Sequence, residues 1–111
     1  MHFSAGDVLL VPIVFSDGSG GKKRPVVVVY DSGDADLLVA PVTSRAARSP
    51  RDVSVLNWQR AGLRLPSIAR LEKLATVEKS AVVRTLGRLA PGDWETARVA
   101  LKQLFAEILA Q

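Results

Sequence analysis

Four valines in succession, Val26, Val27, Val28 and Val29, followed by Tyr30, constrain this chain more than any other stretch. β-Branched side chains lose rotamer freedom in a helix and pack well on a pleated surface, so the run predicts a strand. Because the run is unbroken rather than alternating, it also predicts that both faces of that strand are covered. Such a strand needs neighbours, and the sequence offers several. Residues 8–14 read as one, with Pro12 assigning it to an edge or a bulge. A third strand, residues 37–43, follows a polar turn at 31–36, and residues 53–56 form a short alternating one. The basic stretch 44–52, which contains Pro50, reads as a loop. Residues 65–72 alternate, so that Ile68 shares a face with Arg70 and Glu72. Residues 76–77 and 86–89 flank a segment, 78–84, that reads as a helical turn or a loop.

The period changes after Pro91. From Trp94, apolar residues fall at Ala97, Leu101, Leu104, Phe105 and Ile108, one stripe of an α-helix. Pro91 suits the first helical position, and Asp93 and Glu95 complement the positive end of the helix dipole. Short strands closed by one helix predict a mainly β fold, a small, strongly curved SH3-like barrel with a C-terminal α-helix. At 111 residues the chain fits one domain, 1–111, long enough to bury a core without staples.

Composition removes several classes of chemistry. With no Cys, disulfide scaffolds, zinc knuckles, redox dithiols and thiol nucleophiles are excluded. His2 is the only His, so there is no His pair for acid–base relay or metal binding, and its position next to Met1 reads as a mobile tail. Asp31, Asp34 and Asp36 resemble a metal cluster superficially and read as a solvated turn. The glycine-rich segment 17–23 lacks the spacing of a Walker phosphate loop. No cofactor is expected. The longest run free of polar side chains, residues 8–15, is eight residues long, against the roughly 20 that a spanning helix needs. Met1-His2-Phe3-Ser4 lacks a basic, cleavable leader, so the expectation is a cytoplasmic protein without a membrane partner.

Charge is unevenly spread. Residues 41–88 carry ten cations and three anions, a local +7 in a chain of net +4. Such a field suggests an anionic partner, most economically nucleic acid, although the same residues read equally well as solvated surface.

Gly6-Asp7-Val8, a glycine-rich loop, Arg24-Pro25 before the valines, and Ala40-Pro41-Val42-Thr43-Ser44 form an ordered series. It continues through Ala69-Arg70-Leu71-Glu72, Thr76-Val77-Glu78-Lys79 and Leu86-Gly87-Arg88-Leu89 to the acidic-led helix. In that order and spacing the chain resembles the MazF/PemK family of toxin endoribonucleases, over residues 6–105. The resemblance implies a CcdB/MazF-type barrel assembled as a homodimer. It implies metal-independent cleavage of single-stranded RNA, mRNA in particular, at specific sequences. A cognate antitoxin would inhibit the toxin and bind DNA with it, and the free toxin would arrest bacterial growth.

Such cleavage uses the ribose 2′-OH against the adjacent phosphate and leaves a 2′,3′-cyclic phosphate. It needs a base at the hydroxyl, donors for the phosphoryl oxygens and a group that stabilises the leaving 5′-oxygen. By resemblance Arg24 is the principal catalytic residue, and its planar fork suits phosphate. Thr43 matches the Thr that ends the family's third-strand motif and would hold the scissile phosphate beside Arg24. Arg70 and Glu72 match an Arg-x-Asp pair, with Glu in place of Asp. Glu72 would accept the 2′-OH proton and Arg70 would stabilise the leaving oxygen. On residues alone the pair also reads as a same-face salt bridge. Lys22, Lys23, Ser44, Arg45 and Lys73 join the expected RNA-binding set. Trp58, set between cations, suits base stacking or anchoring of a loop at the barrel rim. Trp94, on the helix stripe, reads as core.

The chain departs from the family pattern where relatives have Gln and Arg after the acidic residue, since Lys73 and Ala75 stand here. Two alternatives carry different chemistry. A CcdB-like gyrase poison would share the barrel and act by binding a protein, while a non-catalytic RNA-binding barrel would bind without cutting.

Overall fold

The valine run does form a strand covered on both faces. In the computed structural model, which describes residues 2–12 and 22–111, β2 (Lys23–Tyr30) carries Val26, Val27 and Val28 at no more than 1% exposure. Around it the described residues form β1 (Asp7–Pro12), β3 (Asp36–Thr43), β4 (Asp52–Val55), β5 (Ser67–Arg70), β6 (Ala75–Glu78) and β7 (Arg84–Arg88), followed by α1 (Pro91–Leu109). All strand pairs are antiparallel, in the order β4-β5-β3-β2-β1-β7, with β6 also on β3.

The curl of this sheet has local causes. One edge of β3 serves two strands: β6 pairs residues 36–39 and β5 pairs Val42 and Thr43. Ala40 and Pro41 stand at the changeover, where a proline without an N–H costs no ladder bond. Register shifts between Val8 and Leu9 against β7, and between Val28 and Tyr30 against β3, bend the sheet further. The result is a curled half-barrel with a C-terminal helix.

Alternation along the strands divides the core in two. Val8, Val27, Ala40, Val42, Val53, Val55, Ala69 and Leu71 pack with Ala97, Ala100 and Leu101 of α1. Leu9, Val11, Val26, Val28, Leu37 and Val39 point to the other face, where Phe3 joins them. That assignment of faces locates the site described below.

Several sequence expectations shift. The first strand is described over Asp7–Pro12, and residues 13–14 of its predicted span lie outside the described residues, as does 17–21 of the glycine-rich segment. Lys23, read as loop, opens β2, and Asp52, also read as loop, opens β4. The segment 78–84 contains a 3₁₀ turn, Lys79–Ala81. The N-terminus is tethered rather than a free tail. Phe3 is buried, its N–H donates to Asp31 Oδ2 at 2.9 Å, and His2 Nδ1 lies 3.4 Å from the same oxygen. Asp31 is correspondingly not a solvated turn residue. Its side chain is 2% exposed, accepts the Gly33 N–H at 2.8 Å and meets Lys79 Nζ at 2.9 Å. The Lys79 ammonium, then the two backbone donors, hold the Asp31 carboxyl well below the usual carboxylate range.

Pro91 occupies the start of α1 as predicted. Asp93, in its first turn, is 3% exposed and accepts the N–H groups of Leu56 and Asn57 at 3.1 and 2.9 Å. The helix stripe is only partly covered: Ala97 and Leu101 are buried and Leu104 half-buried, while Phe105 and Ile108 are 43% and 51% exposed. Trp94 is half-buried rather than fully in the core. A 19-residue helix is about 28 Å long, and its last turns meet the rest of the fold through Arg51, which pairs with Glu107.

Candidate active site

Arg24 lies near the start of β2, two residues before Val26, so pleating turns its side chain to the face of Val26 and Val28. On its outer side Arg24 pairs with Val11 of β1. Toward β3 the register runs Val26 with Pro41, Val27 with Ala40 and Val28 with Val39. That pairing runs as far as Val26 with Pro41, and Arg24 and Thr43 lie two residues beyond it on their strands. Thr43, at the end of β3, shares the face of Leu37 and Val39. The two residues singled out at distant points of the sequence lie on one face, at the same end of the β2–β3 ladder.

The row extends across the sheet. Thr43 pairs with Ile68 of β5, and Ile68 pairs with Ser54 of β4. Since Ala69, Val53 and Val55 face the helix-side core, Ile68, Arg70, Asp52 and Ser54 face the other way, with Thr43. Arg70 stands opposite Asp52, and Arg70 Nη1 lies 3.5 Å from Asp52 Oδ2. Its Nη2 reaches the carbonyl of Ala46 at 3.4 Å.

Thr43 Oγ1 accepts the Arg45 N–H at 3.2 Å. With a lone pair so engaged, its own proton remains for donation to an anionic oxygen. Ser44, Arg45, Ala46 and Ala47, all exposed, follow as one wall of an open groove of about 470 Å³. The other wall includes Ser54, Trp58, Ser67 and Ile68. Three of the expected RNA-binding residues, Ser44, Arg45 and Trp58, thus line one depression. Trp58 is half-buried, which leaves part of its ring to the groove.

The sequence pairing of Arg70 with Glu72 does not survive. The strand stops at Arg70, and Leu71–Lys73 is a 3₁₀ turn, so the two-residue spacing no longer fixes a shared face. Arg70 takes Asp52 as its acidic partner. Glu72 and Lys73 are exposed on the turn, and Glu72 has no ion pair among the described residues. Lys22 and Lys23 are exposed just before Arg24. Of the ten cations in 41–88, Arg51, Arg70, Lys79 and Arg88 meet Glu107, Asp52, Asp31 and Asp7 respectively. Arg45, Arg48, Arg60, Arg64, Lys73 and Arg84 are exposed.

Asp52 was missed by sequence reasoning, as were Ser54 and Ser67. The signal was present in the alternation Asp52-Val53-Ser54-Val55, whose polar members must oppose the valines.

Taken together, a curled β-sheet is closed by one helix and carries Arg24, Thr43 and Arg70 on a shared face, beside an open groove lined in part by Arg45. The match to known proteins gives that arrangement a family. A family model described as PemK-like, MazF-like toxin of type II toxin-antitoxin system matches residues 4–105, and the chain belongs to that family. Comparison with curated proteins returned no match. Among solved structures, the chain is similar to an endoribonuclease in complex with its cognate antitoxin from a mycobacterial species. That match has TM-score 0.75 and 17% identity, covering 95% of this chain and 96% of the other. It is also similar to the Mycobacterium tuberculosis toxin MazF-mt6, with TM-score 0.74, 19% identity and coverage of 90% and 96%. MazF from Deinococcus radiodurans matches with TM-score 0.68, 22% identity and coverage of 96% and 98%. At these identities the likeness shows the fold.

Proposed function

We propose that this toxin is a metal-independent, sequence-specific endoribonuclease acting on single-stranded RNA, mRNA in particular. The observation that carries the reading is the placement of Arg24 and Thr43 on one sheet face, at the same end of the β2–β3 ladder, with Arg70 on the continuation of that face through Ile68. The family-level match and the endoribonuclease named among the similar structures support it.

The ribose 2′-oxygen attacks the adjacent phosphorus, and the bond from phosphorus to the 5′-oxygen breaks. The products are a 2′,3′-cyclic phosphate and a free 5′-hydroxyl. Arg24 offers paired N–H donors to the phosphoryl oxygens as their charge grows, the stage at which a fixed cation is worth most. The Thr43 hydroxyl donates to the same phosphate. Glu72, exposed on its turn, takes the 2′-OH proton, and Arg70 stabilises the 5′-oxygen, which collects a proton from water. Arg70 works by charge, because a guanidinium with a pKa above about 12 is a poor acid at neutral pH.

Lys22, Lys23, Arg45 and Lys73 would hold flanking phosphates, with Ser44 and Trp58 meeting a base in the groove. The antitoxin partner brings an acidic segment that competes for the same cations. Assembly as a homodimer would cover apolar surface left open at Phe105, Ile108 and Leu109. No helix among the described residues is long and apolar enough to cross a membrane, and the proposed place of action is the cytoplasm.

Cleavage of an RNA oligonucleotide carrying a single 2′-deoxy substitution tests the chemistry. The expected result is an intact strand when the nucleotide 5′ to the cut lacks its 2′-OH, and a cyclic phosphate on the product of the unmodified strand. Cutting of the deoxy-substituted strand at the same bond contradicts the mechanism.

A further inference from the structure

Asp52 sits where two parts of the site meet, and the reaction outlined above gives it no task. Its side chain is 2% exposed, yet it lies on the sheet face of Thr43 and Arg70 rather than in the helix-side core. One oxygen, Oδ2, accepts the N–H groups of Arg48 and Ser49 at 2.7 and 3.1 Å. The same oxygen lies 3.5 Å from Arg70 Nη1. Arg70 in turn donates to the Ala46 carbonyl. The loop is therefore held at both ends of one ion pair, at Ala46 through Arg70 and at Arg48 and Ser49 through Asp52. The backbone closes the arrangement, since Asp52 N–H donates to Ser49 O at 3.0 Å.

We propose that Asp52 is a positioning residue for RNA cleavage, orienting the Arg70 guanidinium and the groove-lining loop together. The inference rests on the ribonuclease reading above. An arginine side chain has several rotatable bonds, and a buried carboxylate on the opposing strand selects one direction for its fork. Ser44, Arg45, Ala46 and Ala47 form a wall of the groove, so the same carboxylate also sets that wall. Removing its charge while keeping its shape should loosen both. A misplacement of about 1 Å costs on the order of 100-fold in rate.

Kinetics of wild type, Asp52→Asn, Asp52→Glu, Arg70→Ala and the double variant Asp52→Asn with Arg70→Ala, on one RNA oligonucleotide with a single cut, test the proposal. Asp52→Asn is expected to lose about 10- to 100-fold in kcat, with Asp52→Glu recovering part of it. The double variant is expected to be slower than Arg70→Ala by less than the loss that Asp52→Asn causes alone, as the part of its effect that runs through Arg70 is not additive. On long RNA, Asp52→Asn is expected to cut at additional positions. Wild-type kcat in a folded Asp52→Asn, or losses that multiply in the double variant, would overturn the proposal and leave the ribonuclease reading intact. Failure of wild type to cut RNA removes both. If Asn at 52 prevents folding, Arg70→Lys takes its place. It keeps the cation but lacks the planar fork whose two ends reach Asp52 and Ala46, and an unchanged rate overturns the proposal.

Discussion

Thr43 and Asp31 show how differently two polar side chains are committed in this fold. Thr43 accepts one backbone N–H and keeps its proton available at the edge of the groove, half-buried. Its replacement by Val preserves β-branching and shape, so stability should hold while cleavage falls. Loss of one fixed donor to a developing anion costs about 10²- to 10³-fold in kcat, and a single-turnover rate compared with the thermal midpoint separates the two effects. Asp31 is enclosed by Lys79, Phe3 and Gly33, which depress its titration below the ordinary value of 3.8. A depressed folded-state pKa contributes stability that is fully present above the unfolded value and is lost as pH falls below it. Asp31→Asn should therefore lower the denaturant midpoint at pH 7 and flatten the decline of that midpoint between pH 5 and more acidic solution. Denaturant curves across that range check the sign, and an unchanged slope would contradict it.

At the level of elements, one turn and the strand β7 are fixed against each other by contacts that leave no space. Gly62 has φ +82°, and a Cβ there would lie 2.1 Å from the Leu86 carbonyl oxygen. Gly87 answers from β7, where a Cβ would lie 2.6 Å from the Ala61 backbone. The turn after Trp58 is pressed onto β7 backbone to backbone, so Gly87→Ala should cost about 1–3 kcal/mol and shift the urea midpoint accordingly. Asp93 secures the beginning of the same turn from the helix. Asp93→Ala would strand the N–H groups of Leu56 and Asn57, at about 1–3 kcal/mol, read in the same titration.

Much at this scale was legible in the sequence. The valine run, the strand ending at Thr43 and the helix starting at Pro91 each follow from short-range pattern. The 65–72 segment was not, because alternation continues through Leu71 and Glu72 while the backbone turns into a 3₁₀ helix after Arg70. Periodicity reports which residues want burial, and Leu71 is indeed fully buried; it does not report where hydrogen bonding to a neighbour stops. Arg24 and Thr43 entered through family resemblance, and the face they share follows from strand register. Asp52 escaped attention because its partners, Arg48, Ser49 and Arg70, are joined only by the fold.

Across the whole molecule, charge is sorted rather than merely abundant. Four cations of the basic middle are answered by carboxylates, while Arg45, Arg48, Arg60, Arg64, Lys73 and Arg84 stay exposed. RNA binding should accordingly weaken with salt. Three phosphate contacts would give a slope of about −2 in log K against log salt, measurable with a 2′-deoxy oligonucleotide that is not cut. Arg45→Ala should shallow that slope without moving the cleavage position. If an acidic antitoxin segment competes for these cations as proposed, salt should loosen both complexes in parallel.

The central claim is that Arg24 drives cleavage of RNA by its own 2′-hydroxyl. Its most direct test is incubation of a long single-stranded RNA, in EDTA, with wild type and Arg24→Ala side by side, mapping every new end. The account predicts cuts at discrete sites by wild type, each leaving a cyclic phosphate, and a loss of about 10²- to 10³-fold in the variant. Uncut RNA with folded, antitoxin-free wild type, or equal cutting by the folded variant, would contradict it.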